Sequence, residues 1–348
     1  MKKILSFSLL AIAMVSQTAC GSDVPNLTPP TQGTLYEHEA QLTGTVNLWD
    51  RENIPTVTRN VNNSDGPDFI PNLEVFTVAD GVQPKGAVMI CPGGAFMFRS
   101  MQNEGYDIAD MLTSMGYQCF IVNYRINPYT MQESATDLQR GIRYVKAHSD
   151  EYRINSENIA LVGFSAGGIL NGEVLLNWRD LKNGSAIDKS YVPDELDQIP
   201  VSACAVGMIY SFYGRLSVSM NDVATLSNAN LPPAFYCWGT RDGFAGQFTQ
   251  NANAVEQAGC RVERKILPNY PHGYGTGGNY NMWGRDFDIF LTSIMSGNSS
   301  ISDVLAETAT ETGTEVIYDL QGRQVTTDSA NKGVYIVKSP RKTTKIIR

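Results

Sequence analysis

The chain has 348 residues, of which 42% are hydrophobic and 18% charged, a balance that excludes a largely disordered or coiled-coil chain and leaves material for a sizeable core plus appendages. Its 27 Lys and Arg against 35 Asp and Glu give a net charge of −8, with no basic run longer than two residues, which argues against nucleic acid and anionic membrane surfaces as partners. Only three histidines are present, His38, His148 and His272, too few for a multi-histidine metal site.

The N-terminus reads as an export leader. Met1-Lys2-Lys3 is followed by an apolar run from Ile4 to Val15, which is too short to span a bilayer as a helix. The run ends in Gln17-Thr18-Ala19-Cys20-Gly21, which resembles a bacterial lipobox although Gln17 stands where Leu is usual. The expectation is a signal peptide over 1–19 and lipidation at Cys20, with ordinary cleavage and release as the alternative. Acyl chains on Cys20 would hold the protein at a membrane at about 0.8 kcal/mol per buried methylene. A Pro, Thr, Ser and Gly-rich stretch over 20–44 reads as a tether.

Strand-like and helix-like patterns then alternate over 45–297. Strands are predicted at Leu73–Val78, Gly86–Cys91, Gln118–Tyr124, Ile159–Gly163, Ala203–Tyr210, Ala234–Gly239 and Val262–Leu267. Several are nearly all apolar, as strands covered on both faces are. Helices are predicted at Glu104–Met115, Ser134–His148, Ala166–Leu176 and Gly246–Ala258. This order implies an α/β fold with a mostly parallel central sheet and helices on both faces. A linker over 298–314 precedes a short β-rich tail over 315–348, with a hairpin turning near Gln321-Gly322 and a further strand at Gly333–Val337. Of the six cysteines, at 20, 91, 119, 204, 237 and 260, none forms a C-x-x-C pair, and four lie in or beside strand-like runs as small buried hydrophobes.

The central chemical signal is Gly163-Phe164-Ser165-Ala166-Gly167, fed by an apolar strand and followed by a helix. A serine on a sharp strand-to-helix turn needs small neighbours, and that turn lifts its hydroxyl above the sheet edge, beside the positive end of the helix. A hydroxyl needs a base oriented by an acid to act as nucleophile. His272 is the only histidine after Ser165, in a loop flanked by Pro271 and Gly273 directly beyond a strand. His38 lies in the tether and His148 at a helix end. Asp242, in the turn after Ala234–Gly239, is the candidate acid, with Asp222 as the reserve. Cys91-Pro92-Gly93-Gly94-Ala95-Phe96 supplies a glycine turn after a strand, so the amides of Gly94, Ala95 and Ala166 are candidates for an oxyanion hole. Phe96, Phe98, Arg99 and Tyr124 follow strand ends on the same edge and are candidate pocket walls. No cofactor or metal is called for.

From about Leu48 to Met295 the chain resembles α/β-hydrolases of the acetyl esterase and acetyl xylan esterase type. The resemblance is carried by Cys91-Pro92-Gly93-Gly94-Ala95-Phe96, Asn103-Glu104-Gly105, Val122-Asn123-Tyr124-Arg125, Gly163-Phe164-Ser165-Ala166-Gly167-Gly168, Asp242 and His272-Gly273. Relatives often have a third glycine where Ala95 stands, and the loop after Asp242 departs from their usual Val-Pro. The resemblance implies hydrolysis of short-chain carboxylic esters, commonly acetyl groups on plant polysaccharide such as xylan. Peptide or lipid-ester cleavage by the same triad, and a catalytically silent glycan-binding surface protein, are the alternatives. The tail, through Tyr318-Asp319-Leu320-Gln321-Gly322-Arg323 and Gly333-Val334-Tyr335-Ile336-Val337, resembles those of exported Bacteroidetes proteins, where such tails serve in type IX sorting; a small packed β appendage is the other reading. The expected location is the outer membrane as a lipoprotein, or the medium.

Overall fold

The computed structural model describes residues 42–59 and 65–298, together with four short strands between 316 and 347. The leader, the lipidation candidate Cys20, His38, the tether up to 41 and nearly all of the linker lie outside the described residues. Among the described residues no helix is long and apolar enough to cross a membrane.

In chain order the strands are β1 (Leu42–Asn47), β2 (Asn72–Phe76), β3 (Gly86–Cys91), β4 (Tyr117–Asn123), β5 (Ile159–Phe164) and β6 (Ala205–Ile209). A small hairpin, β7 (Gly214–Arg215) and β8 (Val218–Ser219), precedes β9 (Ala234–Gly239) and β10 (Val262–Leu267). The helices are α1 (Asp107–Ser114), α2 (Met131–Ala147), α3 (Ala166–Asn177), α4 (Val223–Asn228), α5 (Ala245–Gln257) and α6 (Gly284–Asn298). One eight-stranded sheet runs β1-β2-β4-β3-β5-β6-β9-β10, with β1–β2 and β2–β4 antiparallel and every other pair parallel.

Every residue of β3, β4, β5, β6 and β9 is buried. Side chains alternate across a sheet, so total burial means that both faces are covered. Helix α2 packs with α3, and α1 with α6. The outer strand β10 is only half-buried and carries Glu263, Arg264 and Lys265, charges that discourage pairing with another sheet edge. The parallel pairing of β3, β5, β6, β9 and β10 brings their carboxyl ends to one edge, and that edge carries the site.

The fold departs from the sequence reading in several details, the β7–β8 hairpin and α4 among them. Strand β1 takes in Leu42–Gly44, which the composition places in the tether; its side chains are mostly exposed, so they leave no apolar pattern to read. Helix α6 is absent from the predicted elements, although Trp283, Phe287, Phe290, Leu291 and Met295, all buried, recur at helical spacing. The tail strands β11 (Val316–Tyr318), β12 (Gln324–Val325), β13 (Val334–Ser339) and β14 (Lys342–Ile347) form a separate antiparallel sheet in the order β12-β11-β13-β14, and β14 is an addition to the predicted tail.

Candidate active site

Ser165 stands between β5 and α3 with φ of 49° and ψ of −117°, a conformation that side-chain-bearing residues rarely adopt and that surrounding structure must impose. Its N–H donates to Ile209 O at 3.1 Å, and Ser211 Oγ donates to its carbonyl at 2.6 Å. The turn is tight enough that a Cβ on Gly167 would come within 1.9 Å of Cys91 O, so the helix start and the end of β3 meet backbone to backbone.

His272 Nε2 lies 2.8 Å from Ser165 Oγ, and His272 Nδ1 lies 2.7 Å from Asp242 Oδ2. With the proton on Nδ1 directed at Asp242, the Nε2 lone pair faces the serine hydroxyl. The Asp242 side chain is 0% exposed while that of His272 is 36% exposed, so the acid is dry and the base opens on solvent. The other Asp242 oxygen, Oδ1, accepts the Phe244 N–H at 2.9 Å. The two loops are laced together: Arg241 N donates to Tyr270 O at 3.1 Å and Asn269 N to Thr240 Oγ1 at 2.9 Å.

The loop after β3 holds three successive positive φ values, 132° at Gly94, 54° at Ala95 and 56° at Phe96. A Cβ on Gly94 would stand 2.2 Å from Phe98 O, so glycine is required there, whereas Ala95 takes the left-handed conformation despite its Cβ. Gly93 abuts the nucleophile turn, where a Cβ on it would lie 3.0 Å from Ser165 Cβ. Ala166 is the first residue of α3, where helical N–H groups have no intrahelical acceptor. The candidate oxyanion-hole amides therefore border Ser165 from two sides.

Of the four pocket-wall candidates, two are corrected. Tyr124 is fully buried and its O–H donates to Pro92 O at 2.5 Å, so it props the loop from beneath. Arg99 forms an ion pair with Asp65 and donates to Tyr124 O at 2.8 Å, with its side chain only 10% exposed, so it braces this loop. Phe96 is half-buried edge-on against Tyr124, and Phe98 is 56% exposed. The reserve acid Asp222 caps α4, accepting Thr225 N–H at 2.7 Å. His148 ends α2, its Nδ1 2.8 Å from Tyr144 O.

Residues that the sequence reading does not assign surround the imidazole. Tyr210 meets the His272 ring edge-on at 4.9 Å, with Phe244 at 5.8 Å and Phe248 stacked at 6.5 Å. Glu104, buried, accepts the Gly93 N–H at 2.7 Å and the Tyr210 O–H at 2.6 Å. Burial raises its carboxyl above the usual range, against those two hydrogen bonds and the charge of His272. The position of Tyr210 at the end of a predicted strand, on the edge that also carries Ser165, is the available signal. The five described cysteines are free, and burial pushes the thiols of Cys204 and Cys237 up to about 12, so they remain protonated and are not rival nucleophiles. No cluster of metal-ligating side chains occurs among the described residues.

Among solved structures, an acetyl ester-xyloside bifunctional hydrolase from Caldicellulosiruptor lactoaceticus superposes with a TM-score of 0.58 at 23% identity, covering 72% of this chain and 96% of that one. An esterase from Thermogutta terrifontis, Est2, gives 0.52 at 19% identity over 66% of this chain and 91% of that one. The chain is an α/β hydrolase in fold. The family model BD-FAE matches residues 73–222 of the chain. An acetylxylan esterase from Xylanibacter ruminicola is 34% identical over 92 residues, 26% of this chain and 19% of that protein. A probable carboxylic ester hydrolase, LipM, from Mycobacterium tuberculosis is 33% identical over 90 residues, 26% of this chain and 21% of that protein. The chain thus matches about a fifth of the length of these two curated relatives.

Proposed function

We propose that this α/β hydrolase is a serine carboxylesterase that removes short acyl groups, acetyl foremost, from carbohydrate such as acetylated xylan. The observation that carries the proposal is the hydrogen-bonded line Ser165–His272–Asp242, with heavy-atom spacings of 2.8 and 2.7 Å. Ser165 Oγ attacks the ester carbonyl carbon as its proton passes to His272 Nε2, and the oxyanion meets the amides of Gly94, Ala95 and Ala166. The imidazolium, steadied by Asp242, gives that proton to the departing alkoxide, leaving an acyl-enzyme and a free alcohol. Water then repeats the sequence: His272 takes its proton, the hydroxyl adds to the acyl carbon, and Ser165 leaves with the proton while the carboxylic acid departs.

The carbohydrate assignment draws on the relative described as an acetylxylan esterase and the neighbour described as an acetyl ester-xyloside hydrolase. Exposed Phe98, whose carbonyl and ring lie against Gly94, is the residue we place against the leaving group. Between Tyr210 and Pro233 the chain forms only the β7–β8 hairpin and the six-residue α4, not the large lid that would favour long lipid esters.

The test is turnover of p-nitrophenyl acetate against longer acyl esters by the wild type and Ser165→Ala, followed by acetate release from acetylated xylan and acetylated pectin. The variant is expected to lose at least about 10³-fold in kcat. Unchanged turnover in Ser165→Ala removes the nucleophile assignment, and a preference for long acyl chains removes the acetyl assignment.

A further inference from the structure

We propose that Glu104 is a positioning residue that ties the oxyanion-side loop to the histidine loop and electrostatically supports the imidazolium formed in each turnover. This rests on the esterase reading above. Glu104 lies in a π-helical turn, Gln102–Tyr106, that leads into α1, and it is 5% exposed. Such turns re-aim a side chain that regular helix would carry elsewhere.

One carboxylate oxygen, Oε2, takes the N–H of Gly93, while the Gly93 carbonyl accepts Ser100 N–H at 2.9 Å. A trans peptide sets the next N–H opposite that carbonyl, so anchoring both ends of Gly93 fixes the direction of the Gly94 amide. The other oxygen, Oε1, takes the Tyr210 O–H, and the same phenol oxygen accepts Gly275 N–H at 3.2 Å, three residues beyond His272. Tyr210 also stacks edge-on against His272 and, at 4.6 Å, against Tyr274. The line Gly93–Glu104–Tyr210–Gly275 therefore runs beneath the site from one side of the reacting carbonyl to the other.

The charge on this carboxylate is met by no Lys or Arg at ion-pair distance among the described residues; its partners are a neutral N–H and a neutral O–H. The ionisable groups that interact with Glu104, with His272 or with their partners include Asp242, Tyr124, Tyr210, Tyr274, Cys91 and Cys237, and beyond Tyr124 the Arg99 guanidinium, which is paired with Asp65. Burial pushes the phenols of Tyr124, Tyr210 and Tyr274 and the thiols of Cys91 and Cys237 upward, so all five stay neutral. Asp242 and Glu104 are then the two carboxyl groups of this set, Asp242 bonded to the imidazole and Glu104 one phenol away through Tyr210, and a carboxylate at either place stabilises an imidazolium as it forms.

The test separates geometry from charge with three variants. Glu104→Gln keeps size and one hydrogen bond but removes the charge; Glu104→Asp keeps the charge but is too short to reach both donors; Tyr210→Phe keeps the charge and cuts the link to Gly275. Active sites are counted by stoichiometric labelling with a fluorophosphonate, so that all rates are per competent site. For Glu104→Gln, kcat on p-nitrophenyl acetate is expected to fall about tenfold with KM within about twofold. The acid limb of kcat/KM should move to lower pH, because the anion that favoured imidazolium is gone. Glu104→Asp and Tyr210→Phe should lose kcat while keeping the wild-type acid limb. A merely structural role lowers the count of sites and leaves both the per-site rate and the limb in place, and that result overturns the proposal. The fluorophosphonate labelling rate of Ser165, read across the same variants, should fall in parallel. If wild-type ester turnover is absent while labelling keeps this pattern, the esterase reading fails and the role of Glu104 stands; if labelling is the same in all variants, Glu104 has no such role.

Discussion

The strand-end edge and the outward side of α2 both bury charged side chains, and they treat the charge in opposite ways. Along α2, Arg125 meets Asp137 through two of its nitrogens at 2.9 Å, and the remaining donors go to Pro55 O, Glu133 O, Thr56 and Thr136. Asp137 in turn accepts from Trp49 Nε1 and the Arg125 amide, each at 2.9 Å. A turn further on, Arg143 pairs with Asp197 at 2.7 Å and Arg140 with Asp194 at 2.5 Å. At the strand ends, by contrast, Glu104 has neutral partners only, and Ser165, Ala95, Phe96 and Tyr210 all hold positive φ. The first region pairs its carboxylates with guanidinium groups; the second keeps carboxyl groups without Lys or Arg, and strained backbone, around an imidazole. Buried charge without a cation is costly, so it persists where a transient positive charge makes use of it.

The sharpest way to break this contrast is at Asp242. Asp242→Asn removes the anion but keeps the size, and the amide can present an N–H to Nδ1 and turn the imidazole to the wrong tautomer. Per-site kcat at neutral pH should fall about 10³–10⁴-fold, while urea unfolding shows little loss of stability. A fall of less than tenfold would mean that the strand-end anions are as purely structural as those of α2.

Much of the strand-end site, and none of the α2 ion pairing, is legible without the fold. Gly86–Cys91 and Ala234–Gly239 are apolar runs that stop at Pro or Gly, Val262–Leu267 keeps apolar ends around Glu263, Arg264 and Lys265, and all three strand bounds match the prediction. Ser165 and His272 follow from a strand-to-helix glycine turn and from chain order. What stays hidden depends on which way a side chain turns at a strand end. Arg99 and Tyr124 sit on the right edge but point into Asp65 and Pro92, and nothing in their spacing says so. Glu104, Tyr210 and Gly275 come from three distant stretches and share one hydrogen-bonded line, a relation that only tertiary packing creates. Strand β1 is obscured because an exposed edge needs no apolar alternation.

The paired region should fail in stability where the site fails in rate. Asp137→Asn leaves the buried Arg125 guanidinium without its counter-charge, and breaking such a pair typically costs about 3–5 kcal/mol. Thermal or urea unfolding should register that loss, whereas kcat per labelled site should stay within about twofold, because the hydrogen bonds of Asp137 go to Trp49 and Arg125 and to no group around Ser165. A large per-site rate loss with intact stability would erase the distinction between the two regions.

Glu133 gives the smallest effect and the clearest sign. It opens α2 in a reciprocal cap, with Glu133 N donating to Thr130 Oγ1 at 3.2 Å and Thr130 N donating back to Glu133 Oε2 at 2.8 Å. Its carboxylate also accepts the N–H groups of Val57 and Thr58 at 2.9 Å and the Thr58 hydroxyl at 2.6 Å. Burial alone would raise this carboxyl, but the hydrogen bonds from Thr58 and Thr130 outweigh it and hold it below the usual range. A depressed folded-state value means that the ionised form is bound more tightly in the fold, so its stabilisation is present above the ordinary glutamate range and is lost as pH falls through the folded value. Glu133→Gln should therefore cost about 1–2 kcal/mol near neutral pH. The gap to wild type should close as acid protonates the native carboxyl. Unfolding curves at neutral pH and well below the glutamate range decide it: a gap that is constant with pH would mean that shape, not charge, holds the start of α2.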